Sequence, residues 1–429
     1  MSIWGKTGMI RALACLIALL AVAPKATAPP SPQGAAIPAA AFVDRIGINI
    51  HLPYTDGRYA DADKVISDLR YLGLQNVRDW SLKPTGQGQE SYQRAAAAGV
   101  KFDLIFREWS IPEGIAPLNA YFQRHPASVV AIEGPNEVNN EPVEFNGLKG
   151  DAAAQALQAA LYRAVKADPT LRPVPVFNVT SYPDLKGEAD YANFHAYAHN
   201  GDQPGDELAK SLARQRAVMP SGPIVLTESG YTTLASDRDG VDERTQAKLT
   251  LNTLFDGIRL GASRVYLYEL LDAYADPAGA DKQRHFGLFR FDGSPKPAAT
   301  AVHNLSAILA VAGKGGGAPG QHPRFQGMPA DGRSLTLTAA DGGVVVALWR
   351  EPRIWDHARR SPVAVPGVRM TVTARAPVEI YDPLQASTPV AKTGRDEAAS
   401  FELVDHVVLV RVLGGGAHVS ASLGTSPFR

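Results

Sequence analysis

Short apolar runs alternate with longer segments of helical period from about residue 42 to residue 312. In the longer segments apolar residues recur every three or four positions until a stop at Gly73, Pro169 or Gly261, which is the pattern of helices with one buried face. Strands that alternate with helices predict βαβ units around a parallel sheet. We predict eight such strands, which end near Ile50, Arg78, Ile105, Glu133, Phe177, His195, Glu228 and Tyr268.

Eight strands and a final helix near residues 298–309 match a closed (β/α)8 TIM barrel, an α/β fold that spans residues 42–312. An open, doubly wound sheet has the same alternation and is the alternative. That fold would place a glycine-rich phosphate loop after the first strand, whereas this chain continues with His51, Leu52 and Pro53. The barrel is therefore the predicted architecture.

The hydrophobic pattern changes after Gly313. A glycine-rich break is followed by runs in which apolar residues alternate with period two, for example at residues 344–349. Because no helical stretch separates these runs, residues 320–429 are predicted to form an antiparallel β-sandwich domain. Trp349 and Trp355 are candidates for a carbohydrate platform in this domain, although burial in the core is the favoured interpretation of Trp349.

Composition describes a globular protein with enough apolar residues for a large core. The 429 residues include 43 acidic and 43 basic side chains, and 45% of them are hydrophobic. A nucleic-acid-binding protein is expected to carry a basic excess or a basic stripe, so the balanced charge argues against a nucleic-acid partner. The sequence has no cysteine and histidine cluster with zinc spacing, no phosphate-binding lysine loop and no calcium loop, and we predict neither a metal nor a cofactor.

The first residues are typical of a secretory signal. Lys6 and Arg11 precede an apolar run at 12–23, which is too short to span a bilayer and is followed by small residues that suit cleavage. We predict a signal peptide at residues 1–28 and a Pro- and Ala-rich linker at 29–41. The protein would then be secreted or periplasmic, without stable membrane insertion after signal removal. A single-pass membrane anchor is the alternative.

Two glutamates are the most informative polar residues. Glu137 and Glu228 each follow a strand-like apolar run, at residues 129–133 and 224–226. The carboxyl ends of barrel strands surround a single active site, so both side chains can face one pocket. Paired carboxylates carry out glycoside hydrolysis, which makes the two glutamates candidates for catalysis. The alternative is that each one caps a helix or pairs with a surface lysine.

A family resemblance rests on three segments, residues 133–137 (EGPNE), 195–197 (HAY) and 226–230 (LTESG). These segments resemble the retaining glycoside hydrolases of the large barrel clan that includes families 5 and 39. In that clan the acid/base follows the fourth strand and the nucleophile ends the seventh. The resemblance implies a retaining glycosidase that acts on a β-linked glycan, with Glu137 as acid/base and Glu228 as nucleophile.

The resemblance also implies roles for neighbours of the two glutamates. Asn136 would bind the 2-hydroxyl group of the reacting sugar. Arg78 matches a position at which the clan often places an arginine beside the nucleophile, where its charge would lower the pKa of Glu228. Pairing of Arg78 with Asp79 or another carboxylate at the barrel rim is the alternative. Repulsion and partial burial should keep Glu137 protonated while Glu228 stays ionised.

Side chains at other strand ends complete the candidate site. His195 and Tyr197 end the sixth strand two residues apart, so both should face the barrel interior. Tyr197 is expected to donate a hydrogen bond to the nucleophile. His195 is expected to contact the sugar or the acid/base, although a backbone carbonyl could satisfy it instead. His51, Trp80 and Tyr268 follow the first, second and eighth strands and are candidates for the wall that contacts the sugar.

Two further functions stay open from the sequence. A transglycosylase or remodelling factor of an exopolysaccharide system would share the covalent step but would transfer the sugar to another sugar instead of to water. A non-catalytic glycan-binding protein on the same fold would keep the aromatic wall and would not require both glutamates. The retaining mechanism predicts that the two carboxyl groups lie about 5–5.5 Å apart.

Overall fold

The computed structural model describes residues 37–81, 88–106, 110–313 and 322–414. The predicted signal peptide and most of the predicted linker lie outside these residues, so export stays a prediction. Within the described ranges, no helix combines the length and the apolar composition that a membrane crossing requires.

Eight parallel strands form one sheet, and this sheet closes into a barrel. The first strand pairs with the eighth, through Ile46 and Val265. The fifth and sixth strands meet through a bridge between Phe177 and Tyr191, which completes the ring. The TIM barrel predicted from the sequence is confirmed. Its strands are Ile46–Asn49, Asn76–Trp80, Lys101–Ile105, Val129–Glu133, Val176–Phe177, Ala192–His195, Ile224–Ser229 and Arg264–Leu267.

The helices begin and end at residues that suit those positions. Asp61 and Asp242 each cap a helix by accepting a hydrogen bond from the backbone N–H three residues later. Gly73 and Gly261 end the same two helices with φ of 72° and 110°, a left-handed conformation that glycine adopts without a Cβ clash. The α-helices of the described residues are Ala39–Asp44, Ala62–Leu72, Gln89–Ala97, Ile111–Arg124, Gly150–Ala167, Gly205–Val218, Glu243–Leu260 and Pro297–Ala312, and the 3-10 helices are Arg58–Ala60 and Lys282–Arg284.

The connection between the fifth and sixth strands has no helix. Residues 178–191 are all described and form turns and irregular backbone. This segment is fixed to the loop after the fourth strand, because Val138 N–H donates to the Thr180 carbonyl and Thr180 N–H donates to the Pro135 carbonyl, each at 3.1 Å. Val138 and Val179 also share a small apolar cluster. The loop that carries Glu137 is therefore held by its neighbour.

A β-sandwich follows the barrel, as predicted. In the strand Val344–Arg350, Val345, Ala347 and Trp349 pack in the core that is shared with the barrel helices, whereas the residues between them pack in a second core inside the sandwich. Trp349 and Trp355 are both buried, which excludes the carbohydrate platform considered for them. The larger sheet of the sandwich contains, in spatial order, Ile37–Pro38, Gly332–Thr338, Val344–Arg350, Val408–Val412, Val378–Tyr381 and Ala391–Thr393. The smaller sheet contains Arg324–Gln326, Val368–Thr373 and Ala398–Leu403. Two short pairs of strands lie outside these sheets, Glu144–Phe145 with Leu148–Lys149 and Trp355–Asp356 with Ser361–Pro362.

Regular structure begins inside the segment that was predicted to be a linker up to residue 41. Ile37 and Pro38 pair in parallel with Leu337 and Thr338 of the sandwich, and the helix Ala39–Asp44 follows at once. The linker predicted at residues 29–41 therefore extends too far toward the barrel, because residues 37–41 belong to a strand and a helix. The Pro- and Ala-rich composition of this segment does not indicate a strand, because proline has no N–H to donate within a sheet. Proline is tolerated in an edge strand, where the missing N–H needs no partner.

Buried charges join the barrel to the sandwich. Asp256, in the helix before the eighth strand, is fully buried and accepts hydrogen bonds from the indole N–H of Trp349 at 2.8 Å and from Arg259 at 2.5 Å. Arg333 of the sandwich lies 3.5 Å from the same carboxylate and 2.7 Å from Glu351. Because buried charges are stable only when they are paired, this cluster fixes how the sandwich packs on the barrel.

We expect Asp256→Ala to lower the free energy of unfolding by ~3–5 kcal/mol, because it removes one member of a buried ionic cluster and leaves the indole of Trp349 without an acceptor. Urea denaturation followed by tryptophan fluorescence measures this change. Asp63→Ala is the matched control, since it breaks a pair with Arg94 in which the side chains are 71% and 46% exposed, and it should have little effect. Equal losses in the two variants would contradict the role of the cluster.

Candidate active site

One cavity of about 600 Å³ opens at the carboxyl ends of the barrel strands. His195 does not line this cavity but lies 2.7 Å from Glu137 and 3.6 Å from Glu228. The structure therefore brings together every residue that the sequence nominated for the site. Those that line the cavity are Glu137, Glu228, Asn136, Arg78, Tyr197, His51, Trp80 and Tyr268.

Arg78 is the centre of the hydrogen-bond network beneath the cavity. Its side chain is 1% exposed, and Nε and Nη2 donate to the two oxygens of Glu133 at 2.8 and 2.6 Å. Nη1 donates to Glu228 at 2.5 Å and to Asn49 at 2.9 Å, and Nη2 also donates to Asn136 at 2.7 Å. Burial alone would lower the pKa of Arg78, but Glu133 and Glu228 raise it well above its ordinary value. The guanidinium therefore stays charged.

Both oxygens of Glu228 accept hydrogen bonds. Oε1 accepts from Arg78, and Oε2 accepts from the hydroxyl of Tyr197 at 2.7 Å. The bond from Tyr197 is the one expected from the position of this residue after the sixth strand. Burial, together with the charge of Glu228, raises the pKa of Tyr197 well above its ordinary value, so the phenol keeps its proton and acts as a donor.

Glu137 lies in a left-handed turn after the fourth strand, with φ of 40°. Its N–H donates to the hydroxyl of Thr180 at 2.8 Å. Its carboxylate accepts from Nδ1 of His195 at 2.7 Å and from the amide of Asn140 at 3.0 Å. The hydrogen bond from His195 is the main cause that lowers the pKa of Glu137 to about 2. The expectation that Glu137 is protonated is therefore wrong, because it omitted this donor.

Arg78 determines which nitrogen of His195 carries the hydrogen. Nε2 of His195 lies 3.4 Å from Nη2 of Arg78. A guanidinium can only donate, so Nε2 is the acceptor of this contact. The hydrogen of the ring is then on Nδ1, which donates it to Glu137. His195 thus links the charge of Arg78 to the protonation state of Glu137.

The two glutamates approach each other closely. One oxygen of Glu137, one ring nitrogen of His195 and one oxygen of Glu228 all lie within 4.8 Å of one another. Three such atoms are also suitable metal ligands. Each of the four carboxylate oxygens, however, already accepts a hydrogen bond from the chain, and Arg78 supplies the positive charge that a cation would bring. The arrangement therefore favours acid–base and nucleophilic chemistry over metal binding.

The opposite wall of the cavity is formed by polar and aromatic side chains. His51 is 9% exposed, and its Nε2 lies 3.2 Å from Glu269, which also accepts from the hydroxyl of Tyr59 at 3.0 Å. Nε2 of His51 is thus paired with Glu269, whereas Nδ1 has no hydrogen-bond partner within the described residues. Burial lowers the pKa of His51, but Glu269 more than offsets this effect and raises it. His51 therefore lines the cavity with one of its two ring nitrogens paired.

The sequence prediction missed three buried acids of this site. Glu133 ends the fourth strand, and Glu269 follows Tyr268 after the eighth. Asp79 accepts a hydrogen bond from the N–H of Leu52, and burial raises its pKa to about 7. Glu133 ends a barrel strand, Glu269 follows one and Asp79 is the next-to-last residue of the second, so a position close to a strand end is the signal that these acids share.

Solved structures of family 39 glycoside hydrolases have a similar fold. An enzyme from the gut symbiont Bacteroides cellulosilyticus WH2 has a TM-score of 0.58 at 15% identity, over 88% of this chain and 82% of that chain. A β-xylosidase from Caulobacter crescentus has a TM-score of 0.56 at 15% identity, over 89% and 98% of the two chains. The family 39 enzyme from Xanthomonas axonopodis pv. citri has the same TM-score and identity, over 90% and 98%.

These similarities confirm the sequence resemblance at the level of the fold. No protein-family model and no curated protein matches the chain. The class that the fold defines is the TIM barrel with an appended β-sandwich, in the arrangement found in family 39 enzymes. The roles of individual residues rest on the geometry and chemistry of the cavity.

We expect His195→Phe to raise the pKa of Glu137 from about 2 toward the ordinary value of a glutamate, because the hydrogen bond from His195 is the largest cause of the lowering. A pH titration of the Glu137 carboxyl carbon by NMR measures this pKa. In the control variant Tyr197→Phe, which loses a donor to Glu228 instead, the pKa of Glu137 should stay low. An unchanged pKa in the His195 variant would contradict the assignment of Nδ1 as the donor.

Proposed function

We propose that this protein is a retaining glycoside hydrolase that cleaves β-glycosidic bonds of a poly- or oligosaccharide. The observation that carries the proposal is the approach of Glu137 and Glu228 in one cavity, with one oxygen of each within 4.8 Å of the other. Retaining enzymes hold their carboxyl groups about 5–5.5 Å apart, whereas inverting enzymes need about 6.5–9.5 Å to admit a water molecule. The short separation supports a mechanism with a covalent glycosyl–enzyme intermediate.

Glu228 is the nucleophile of the first step. Its carboxylate attacks the anomeric carbon, the glycosidic bond breaks, and the leaving oxygen takes the proton of Glu137. Arg78 and Tyr197 orient the attacking carboxylate, because each of them binds one of its oxygens. Asn136, which accepts a hydrogen bond from Arg78, is assigned to the 2-hydroxyl group of the reacting sugar.

Glu137 is the base of the second step. As a carboxylate it takes a proton from water, whose oxygen attacks the anomeric carbon and releases Glu228. The hydrogen bond from His195 stabilises this ionised form and suits this step. The first step needs protonated Glu137. A bound sugar favours that form, because it excludes water from the cavity and so disfavours the charged carboxylate.

The opposite wall is assigned to recognition of the sugar in the cavity. His51 lines the cavity, and its Nδ1, which has no hydrogen-bond partner within the described residues, is assigned to a sugar hydroxyl group. Glu269 and Asp79 offer further acceptors at the same wall. Trp80 and Tyr268 line the same cavity and are assigned to apolar contact with the sugar.

The proposal includes export of the protein and a polymeric glycan as its substrate. The apolar run near the N-terminus, preceded by basic residues, supports a periplasmic or extracellular location. The Caulobacter protein of similar fold is a β-xylosidase, so β-xylans are the first substrates to test. Glucans, mannans, galactans and bacterial exopolysaccharides complete the panel, and sizing of the products distinguishes hydrolysis from transfer to another sugar.

We expect Glu228→Gln to abolish turnover of the glycan that the wild type cleaves, because an amide is a poor nucleophile. Glu137→Ala should lower kcat/KM on that glycan by roughly 10²–10⁴-fold, the usual contribution of a general acid. On an activated aryl glycoside, whose leaving group needs no proton, the same variant should lose far less in the first step. Steady-state kinetics on both substrates, with circular dichroism as a check of folding, test these outcomes.

Glu144→Gln is the matched control for both variants. Glu144 lies in the same loop as Glu137, in an exposed hairpin where it pairs with Lys149, and its replacement should leave turnover unchanged. Full activity of the Glu228 variant would remove this residue from the mechanism. Equal losses of the Glu137 variant on glycan and aryl glycoside would contradict its role as the acid.

A further inference from the structure

Three aromatic rings form a row along one wall of the cavity. The rings of His51 and Tyr54 are stacked, with centroids 4.7 Å apart and an interplanar angle of 15°. The ring of Tyr274 continues the row, 5.9 Å from Tyr54 at an angle of 39°. All three residues line the cavity. We call His51, Tyr54 and Tyr274 the aromatic row.

The outer end of the aromatic row is held in place by polar contacts. The hydroxyl of Tyr274 donates to Asp56 at 2.6 Å, and the guanidinium of Arg284 lies over its ring at 5.6 Å from the centroid. Arg284 is in turn held by Asp281 at 3.0 Å and by the carbonyl of Ala275 at 2.6 Å. These contacts fix the ring of Tyr274, so little side-chain entropy is lost when a ligand binds beside it.

The inner end of the row lies at the proposed sugar site. His51 is 9% exposed and lines the cavity, with Nε2 paired with Glu269 at 3.2 Å and Nδ1 without a hydrogen-bond partner within the described residues. Tyr274 lies farther along the loop that follows the eighth strand and lines the cavity together with Arg284. The row therefore leads away from the sugar that would react.

The position of the row in the barrel decides which part of the substrate it faces. The first and eighth strands, which precede His51 and Tyr274, are neighbours in the sheet. The fourth strand, which precedes Glu137, is separated from the first by two other strands. The leaving group must depart beside Glu137, because this residue protonates it. The aromatic row is therefore on the side of the sugar that stays bound to Glu228.

We propose that the aromatic row is a second sugar-binding subsite, which stacks the residue next to the one being cleaved on the non-reducing side. This inference rests on the proposed function and names its substrate class more closely. The preferred substrates are β-linked chains with at least two sugars on that side of the scissile bond, and the first product is a disaccharide or longer. Stacking on tyrosine rings requires sugars that present apolar C–H faces.

A pair of aryl glycosides with the same leaving group isolates this subsite. p-Nitrophenyl β-xyloside and p-nitrophenyl β-xylobioside differ by one sugar on the non-reducing side, and the corresponding glucoside and cellobioside form a second pair. The wild type should prefer the disaccharide derivative. Tyr274→Ala should reduce kcat/KM on that derivative by roughly tenfold, equivalent to about 1.4 kcal/mol, and should change kcat/KM on the monosaccharide derivative little.

Tyr182→Ala is the matched control, and Tyr274→Phe is the conservative variant. Tyr182 is 70% exposed, with Arg214 at 5.5 Å from its ring centroid, but it is outside the cavity lining. Its replacement should affect neither derivative. Tyr274→Phe keeps the ring and should keep the preference. Thermal denaturation of each variant separates a loss of stacking from a loss of folding.

Binding gives a readout that does not require turnover. In the Glu228→Gln background, calorimetry should detect tighter binding of xylobiose or cellobiose than of the monosaccharides, and Tyr274→Ala should remove the difference. Equal rates of the wild type on both members of each pair, or equal losses of Tyr274→Ala on both members, would overturn the subsite. Failure of the proposed function looks different, because the wild type would then cleave no derivative and no glycan of the panel.

Discussion

The active site depends on one buried guanidinium. Arg78 is 1% exposed, and transfer of a charge from water to such an environment is unfavourable unless the charge is paired and hydrogen-bonded. A guanidinium has five N–H donors in a fixed plane. Glu133, Asn49, Glu228 and Asn136 supply acceptors for them from the first, fourth and seventh strands and the loop after the fourth. The need to satisfy one cation thus aligns several strand ends at once.

The same cation organises the acid–base chemistry. One carboxylate partner, Glu133, is buried below the cavity, and the other, Glu228, faces it. Asp103 lies near them, and burial followed by repulsion from Glu133 raises its pKa well above its ordinary value. Asp103 therefore tends to keep its proton, so the carboxyl groups around Arg78 do not all carry a negative charge. Through His195 the influence of Arg78 extends to Glu137, whose ionised form is favoured by the hydrogen bond from His195.

The sequence was sufficient to predict the barrel and the pair of glutamates, for a physical reason. Strands buried on both faces appear as apolar runs, and the polar residue that ends such a run stands at the active-site edge of the barrel. Glu137 and Glu228 were identified in this way. Glu133 was not, because it belongs to the run itself and its partner Arg78 is fifty-five positions away in the chain. The protonation state of Glu137 was also unpredictable, since it depends on the direction of the His195 ring.

The short strand Ile37–Pro38 affects the order in which parts of the protein fold. The partner of Ile37 is Leu337, beyond the whole barrel, while the adjoining helix Ala39–Asp44 leads directly into the first barrel strand. Contacts between residues so distant in the chain form slowly, because a long loop must close first. Ile37 and Pro38 leave the ribosome long before Leu337 and Thr338, so they can pair only after this part of the sandwich has been synthesised, and their pairing is a late step that joins the start of the barrel to the sandwich.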